Sequence, residues 1–494
     1  MKNKILILAI AVLALPSFVS ADNALGENRV FNVESSYDST KRAELSANLI
    51  KISPKLYWYA DNVWWGKMTA QEKDDIKNYF NLLTEEFESK IYPTLTAAFG
   101  SEWNPGIDKD ARITILVHPM KKESGGYTDT SDEYPKAQVP ESNEREMIYL
   151  NSEHIKDDIM KSFLAHEFVH LITFNQKDNA YDLSDDVWLN EARAEYASTL
   201  LGYDANYNGS NLQSRVKDFL SGSFDSLTEW RDSAPDYGVV NLFTQYLVDH
   251  YGVKILADSL KIRKTGIDSI NSALAQNNFK IDFAQIFTDW TIALFINDCS
   301  VGENYCYLNQ NLKNFRVTPM INYLPLVGDS TLSVNNTTKD WAGNWHKFLG
   351  GKGKLEVEFK SYNHGTKFKV PYIIEDSNGN FTIDNLAFDA NMTGKIVLDD
   401  FGTKYSSLTI IPVAQNAISG FSGIQPSYNF FWSASAQGKK VEVSPLPINN
   451  ANAAKEVKIA ELKTQIMAIQ LKIIELLKQL IQLLLTESAL PANM

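Results

Sequence analysis

Apolar and polar positions change rhythm several times along this chain, and each change predicts a different kind of element. Lys2 and Lys4 lead into an unbroken apolar run, Ile5 to Leu15, followed by Pro16 and the small-residue stretch Val19-Ser20-Ala21. A charged start, an apolar stretch too short to cross a bilayer and a Val-x-Ala site before Asp22 predict a cleaved signal peptide over residues 1–21. Residues 22–325 read as one domain, in which residues 22 to about 150 mix helix and strand. Ile76, Phe80, Leu83 and Phe87 recur at helical spacing within Ala70 to Phe99. Arg112 to Val117 reads as a strand after the turn Gly106-Ile107-Asp108. Lys121 to Asn143 is polar, with Gly125-Gly126 and two prolines, and predicts an excursion over the surface. Glu146 to Leu150 is a short strand, either a substrate-pairing edge or a core edge with no such role. From Asp157 to about Cys299 helical patterns dominate, as in Val239 to Tyr251 ended by Gly252.

Beyond residue 325 the period shortens to two. In Lys354 to Phe359, Leu355, Val357 and Phe359 share one face, and Lys369 to Ile374, Phe381 to Ile383, Lys395 to Leu398 and Ser407 to Val413 follow at short intervals. This spacing predicts an all-β sandwich over residues 326–444. Trp341 and Trp345 inside it are either core residues or sugar-stacking platforms. Residues 445–455 break both periods and read as a linker. Residues 456–486 carry the strongest periodicity, with Ile459, Leu462, Ile466, Ile469, Ile473, Leu476, Leu480 and Leu483 stepping by three and four. That a/d seam predicts a coiled-coil helix, widened by Leu477 and Leu484, that serves a homo-oligomer or another partner helix. A helix lying on a membrane surface is the alternative, whereas Lys472, Glu475 and Lys478 argue against a membrane span. The expected fold class is therefore multidomain α+β.

Composition narrows the partners. Of 494 residues, 44% are hydrophobic and 22% charged, as in an ordinary globular protein. The net charge of −13, with no dense Lys/Arg run, excludes a phosphate-tracking surface and hence nucleic acid as a partner. Two cysteines are too few for a disulfide scaffold. In an exported chain Cys299 and Cys306 either close a local disulfide or remain two free thiols.

The chemistry gathers between His166 and Tyr237. His166-Glu167-Phe168-Val169-His170 lies in a segment, Asp157 to Phe174, free of Pro and Gly. On a helix, histidines four apart share one face and can bind one Zn²⁺, while Glu167 is offset towards a water on the metal. A catalytic zinc also needs a third protein ligand. In Trp188 to Tyr196, Glu191 and Glu195 are again four apart, and Glu191 follows His170 by 21 positions, enough for a returning helix. One carboxylate can ligate the metal and the other can accept a ligand histidine's free ring N–H. Asp108 and Asp110 form either a calcium site or simply a turn.

HEFVH followed by WLNEARAEYA resembles the gluzincin metallopeptidases, most of all their hyicolysin-type and aminopeptidase-N-like branches. The similarity covers roughly Tyr92 to Gly252. It implies a two-lobed zincin catalytic domain with His166, His170 and Glu191 as zinc ligands and Glu167 as general base. Glu195 becomes an outer partner, of His166 in particular, and Tyr237 resembles the tyrosine placed against the oxyanion, with Tyr196 as the weaker alternative. The Gly-x-Met-x-Asn strand of the aminopeptidases is missing, which favours an endopeptidase acting on protein or peptide substrates. The expectation is thus a secreted or cell-envelope zinc endopeptidase. Its rivals are a zinc aminopeptidase and an adhesion or scaffold protein with a degenerate peptidase domain.

Overall fold

The computed structural model describes residues 24–437, apart from 327–328, 363–364 and 422. The segments expected to be a signal peptide, a linker and a coiled-coil helix lie outside the described residues. The described residues all belong to one unit.

The first sheet comprises β1 (Asn28–Asn32), β2 (Glu44–Ile52), β3 (Leu56–Asp61), β4 (Ile113–His118), β5 (Gly126–Tyr127) and β6 (Met147–Asn151). Their spatial order is β1-β2-β3-β4-β6-β5. The central strands β3, β4 and β6 run parallel. They are buried at every position, so they read as continuous apolar runs rather than alternating ones. One face presents Leu56, Trp58, Ile115, Val117, Ile148 and Leu150 to the main core. The other turns Tyr57, Tyr59, Leu116 and Tyr149 towards Phe31, Leu45 and Tyr127.

The helices build the core on the first of these faces, some against the sheet and the rest against one another. They are α1 (Asn62–Gly66), α2 (Ala70–Glu86), α3 (Tyr92–Phe99), α4 (Met160–Thr173) and α5 (Val187–Leu200). Next come α6 (Asn211–Ser221), α7 (Ala234–Tyr251), α8 (Lys254–Leu260), α9 (Gly266–Gln276) and α10 (Phe283–Ile296). Thr69 and Glu72 close a capping box on α2, and Ser233 and Asp236 do so on α7. Each such cap is worth about 1 kcal/mol. Trp58 Nε1 donates to Thr84 Oγ1 at 2.9 Å, tying α2 to β3. Helix α4, which carries both histidines, packs on β6 and continues as a π-turn, Phe174–Asn179.

The C-terminal strands, which form a nine-stranded sheet and a separate two-stranded one, begin with β7 (Met320–Leu324), β8 (Ser330–Lys339), β9 (His346–Gly350), β10 (Gly353–Ser361) and β11 (Phe368–Lys369). The remaining strands are β12 (Pro371–Asp376), β13 (Phe381–Asn385), β14 (Thr393–Phe401), β15 (Tyr405–Ile410), β16 (Val413–Ala414) and β17 (Ser427–Gln437). Strands β13-β12-β15-β14-β10-β17-β8 follow one another, β9 adds to β15 and β7 to β9, while β11 and β16 pair separately. The result is a mixed helix-and-sheet protein with sandwich-like β-layers. Leu355, Val357 and Phe359 are buried on one face beside Phe430 and Trp432, as strand alternation predicts. Trp341 and Trp345 are core: both join the helical cluster, and Trp345 Nε1 donates to the Thr291 carbonyl on α10 at 2.9 Å. Cys299 and Cys306 are joined as a disulfide just beyond α10.

Two expectations change. Strand β6 is not an edge, because β4 flanks one side and Gly126 and Tyr127 pair with Leu150 and Tyr149 on the other. Only a glycine permits that approach: a Cβ on Gly126 would stand 2.6 Å from the Tyr149 carbonyl oxygen. The stretch read as a surface excursion is also partly interior, since Tyr127 stacks on Tyr149 and Asp132 accepts the Tyr149 hydroxyl at 2.5 Å.

Candidate active site

Helices α4 and α5 lie side by side, α4 against the sheet, and turn their four-residue repeats towards each other. His166 Nε2 stands 3.2 Å from His170 Nε2 and 3.3 Å from Glu191 Oε2, and His170 Nε2 lies 3.7 Å from Glu191 Oε1. One donor atom from each of His166, His170 and Glu191 falls within 4.8 Å of the other two. Glu191 Oε2 is buried yet accepts no well-aligned hydrogen bond. Two imidazole nitrogens and a carboxylate oxygen, with that oxygen unsatisfied, are a donor set that suits zinc.

Glu195, one turn after Glu191, is buried with its Oε1 3.5 Å from His166 Nδ1. A buried carboxylate needs a cation and donors, and α6 and α7 supply them. Arg215 makes two hydrogen bonds to Glu195, at 2.7 and 2.8 Å, and Asn211 and Asn241 add others at 3.0 and 3.1 Å. Burial alone would raise the Glu195 pKa, but Arg215 overrides it and holds the group down to about 2. Burial likewise opposes charge on His166, yet the Glu191, Glu167 and Glu195 carboxylates push it up to about 9. His170 goes the other way, pulled down to about 4 by burial.

Glu167 is buried between strand and helix. Thr128 Oγ1, just past β5, donates to its Oε2 at 3.0 Å. Burial, with Glu191 nearby, raises Glu167 to about 7. Tyr237, in the first turn of α7, lines the same cleft and donates its hydroxyl to Asp232 at 2.7 Å. Burial and the Glu191 and Asp232 charges push its pKa far up, so it keeps its proton. Tyr196 is raised to about 12 by burial and then by Asp249 and Asp204, and does not line the cleft cavities. Asp110 accepts from the Tyr57 hydroxyl and Arg112, which occupies that turn with protein partners.

Two cavities, of about 460 and 410 Å³, meet at His166 and Glu167 and share Tyr37, Gly126 and Tyr237 in their walls. Sequence reasoning passed over Thr128, Arg215, Asn211, Asn241 and Tyr37. The one available hint was chemical, since a second carboxylate on a buried helix face requires a cation somewhere.

No family model matches the chain. It is 26% identical over 306 residues to the neutral metalloprotease ShpI of Staphylococcus hyicus, a distant relationship. The match takes in 56% of this chain and spans 65% of the relative's length. Solved structures with partial likeness include the pre-peptidase C-terminal domain of a Bacillus anthracis collagenase, with a TM-score of 0.18 and 6% identity over 24% of this chain and 98% of that one. The Aeromonas hydrophila lysozyme inhibitor PliG scores 0.16 at 9% identity, over 24% of this chain and 98% of its own.

Proposed function

We propose that the chain is an exported, zinc-dependent endopeptidase of the gluzincin kind, with His166, His170 and Glu191 holding the metal. The observation that carries the reading is the convergence of those three donors around an unsatisfied Glu191 oxygen, with Glu167 beside them. The distant metalloprotease relative supports it independently. Bound zinc supplies a Lewis acid that polarises the scissile carbonyl and acidifies water. Glu167 takes the proton of the attacking water and returns it to the leaving amine, while Thr128 fixes one of its oxygens. Glu195, kept ionised by Arg215, accepts the Nδ1–H of His166 and so commits Nε2 to the metal. Tyr237, protonated throughout, donates to the developing oxyanion once it releases Asp232.

The β5 edge at Gly126 borders Glu167 and is the strand an extended substrate pairs with. Cavities on both sides of Glu167 leave room for substrate to continue past the scissile bond in each direction, which favours endo- over aminopeptidase action. The Cys299–Cys306 bond suits an oxidising, extracellular setting, and none of the described helices is long and apolar enough to cross a membrane. The test is zinc content and casein hydrolysis by the chain from Asp22 onwards, against Glu167→Gln. We expect one zinc per chain in both proteins and hydrolysis only in the first. A zinc-free, inactive wild type sinks the reading in favour of an adhesion or scaffold role, and an active Glu167→Gln sinks the mechanism.

A further inference from the structure

The smaller cavity has a composition that the hydrolytic reading leaves unused. It opens beside Glu167, His170 and Glu191 and extends past Thr173 and Phe174 to Asp178, Ser184, Asp185 and Val187. No Lys or Arg lines it. Its carboxylates differ in how they are matched. Glu167 and Glu191 belong to the catalytic centre. Asp185 is answered by Arg193 at 2.8 Å and Lys177 at 4.0 Å. Asp178 forms no ion pair among the described residues, and Ser184 Oγ, at 2.5 Å, occupies only its Oδ1. Thr173 Oγ1, at 2% exposure, also lines the cavity without a hydrogen-bond partner.

Local backbone explains how Asp178 arrives there. In an unbroken α-helix, eight residues would leave Asp178 roughly 80° round from His170. The π-turn Phe174–Asn179 holds more residues per turn, so Asp178 lags back towards the His170 side. Phe174 and the partly exposed Val187 add apolar lining to the same cavity, a combination that suits a long aliphatic stem carrying a cationic head.

We infer that this cavity selects peptide substrates with a lysine or arginine side chain, which Asp178 receives. The inference rests on the peptidase reading and names its substrate class. It is tested with fluorogenic peptides that differ at one position at a time, Lys against its uncharged isostere norleucine, with cleavage sites mapped by mass spectrometry. For the wild type, kcat/KM should favour Lys over norleucine by about 10- to 100-fold at one position next to the scissile bond, and the ratio should shrink as salt is added. In Asp178→Asn, which keeps an acceptor for Ser184, the ratio should fall to within about threefold of unity. In Asp178→Lys it should invert in favour of norleucine. Hydrolysis with no Lys preference in the wild type overturns this inference alone, as does a preference that survives Asp178→Asn. Failure to cleave any peptide overturns the peptidase reading itself. The wild-type measurement stands whether or not either variant folds.

Discussion

Replacing Arg215 by Met leaves Glu195 without its cation in the interior, and the consequence can be worked from the structure. Glu195 is buried, is held at about 2 against an ordinary 4.5, and owes that depression to Arg215 acting against burial. Holding the carboxyl at about 2 in place of 4.5 corresponds to roughly 3 kcal/mol of folding stability. This agrees with the roughly 3–5 kcal/mol expected when one partner of a buried ion pair is removed. The folded value lies below the unfolded one, so the contribution is complete above about pH 4.5 and disappears as pH falls through about 2. Urea unfolding of the metal-free proteins should therefore show Arg215→Met less stable by about 3 kcal/mol at pH 7, with the gap closing towards pH 2. Zinc affinity at pH 7 should drop about 10- to 100-fold as His166 loses an anchored partner. The double variant Arg215→Met/Glu195→Leu should regain most of the stability, since no charge is left buried, but not the zinc affinity. A stability gap that does not change with pH, or a double variant that recovers zinc binding, would refute the relay from Arg215 through Glu195 to His166.

Two further outcomes separate the roles of neighbouring residues. Glu191→Ala should abolish zinc binding, whereas Glu195→Ala should weaken it by about 10- to 100-fold; metal titration giving the reverse order exchanges their roles. Tyr237→Phe should lower kcat by about 100- to 1000-fold at unchanged zinc affinity, and an unaltered rate moves the oxyanion donor elsewhere, with Tyr196 tested next.

What the chain determined unaided is what neighbours along it can encode. A helix repeats every 3.6 residues whatever it packs against, so His166 with His170, and Glu191 with Glu195, share their faces from spacing alone. Strand alternation is equally local, and it exposed Leu355, Val357 and Phe359 as one buried face before any partner strand was known. Strand β3 went unread, because a strand buried on both faces carries no alternation.

Tertiary structure decided everything that depends on elements distant in sequence meeting in space. Only the packing of α4 against α5 brings Glu191 to the histidines, and only α6 returning beside α5 delivers Arg215 to Glu195. The Gly126 strand covers β6 and faces Glu167 because a long loop closes back on the sheet. Trp341 and Trp345, from the β-sheet segment, complete the helical core for the same reason. A single π-turn swings Asp178 round towards His170, a change of phase that side-chain periodicity does not record. Local rules set the direction of each side chain on its own element. Which elements face one another is settled by burying those faces together, a free-energy balance over the whole chain that no short window of sequence contains.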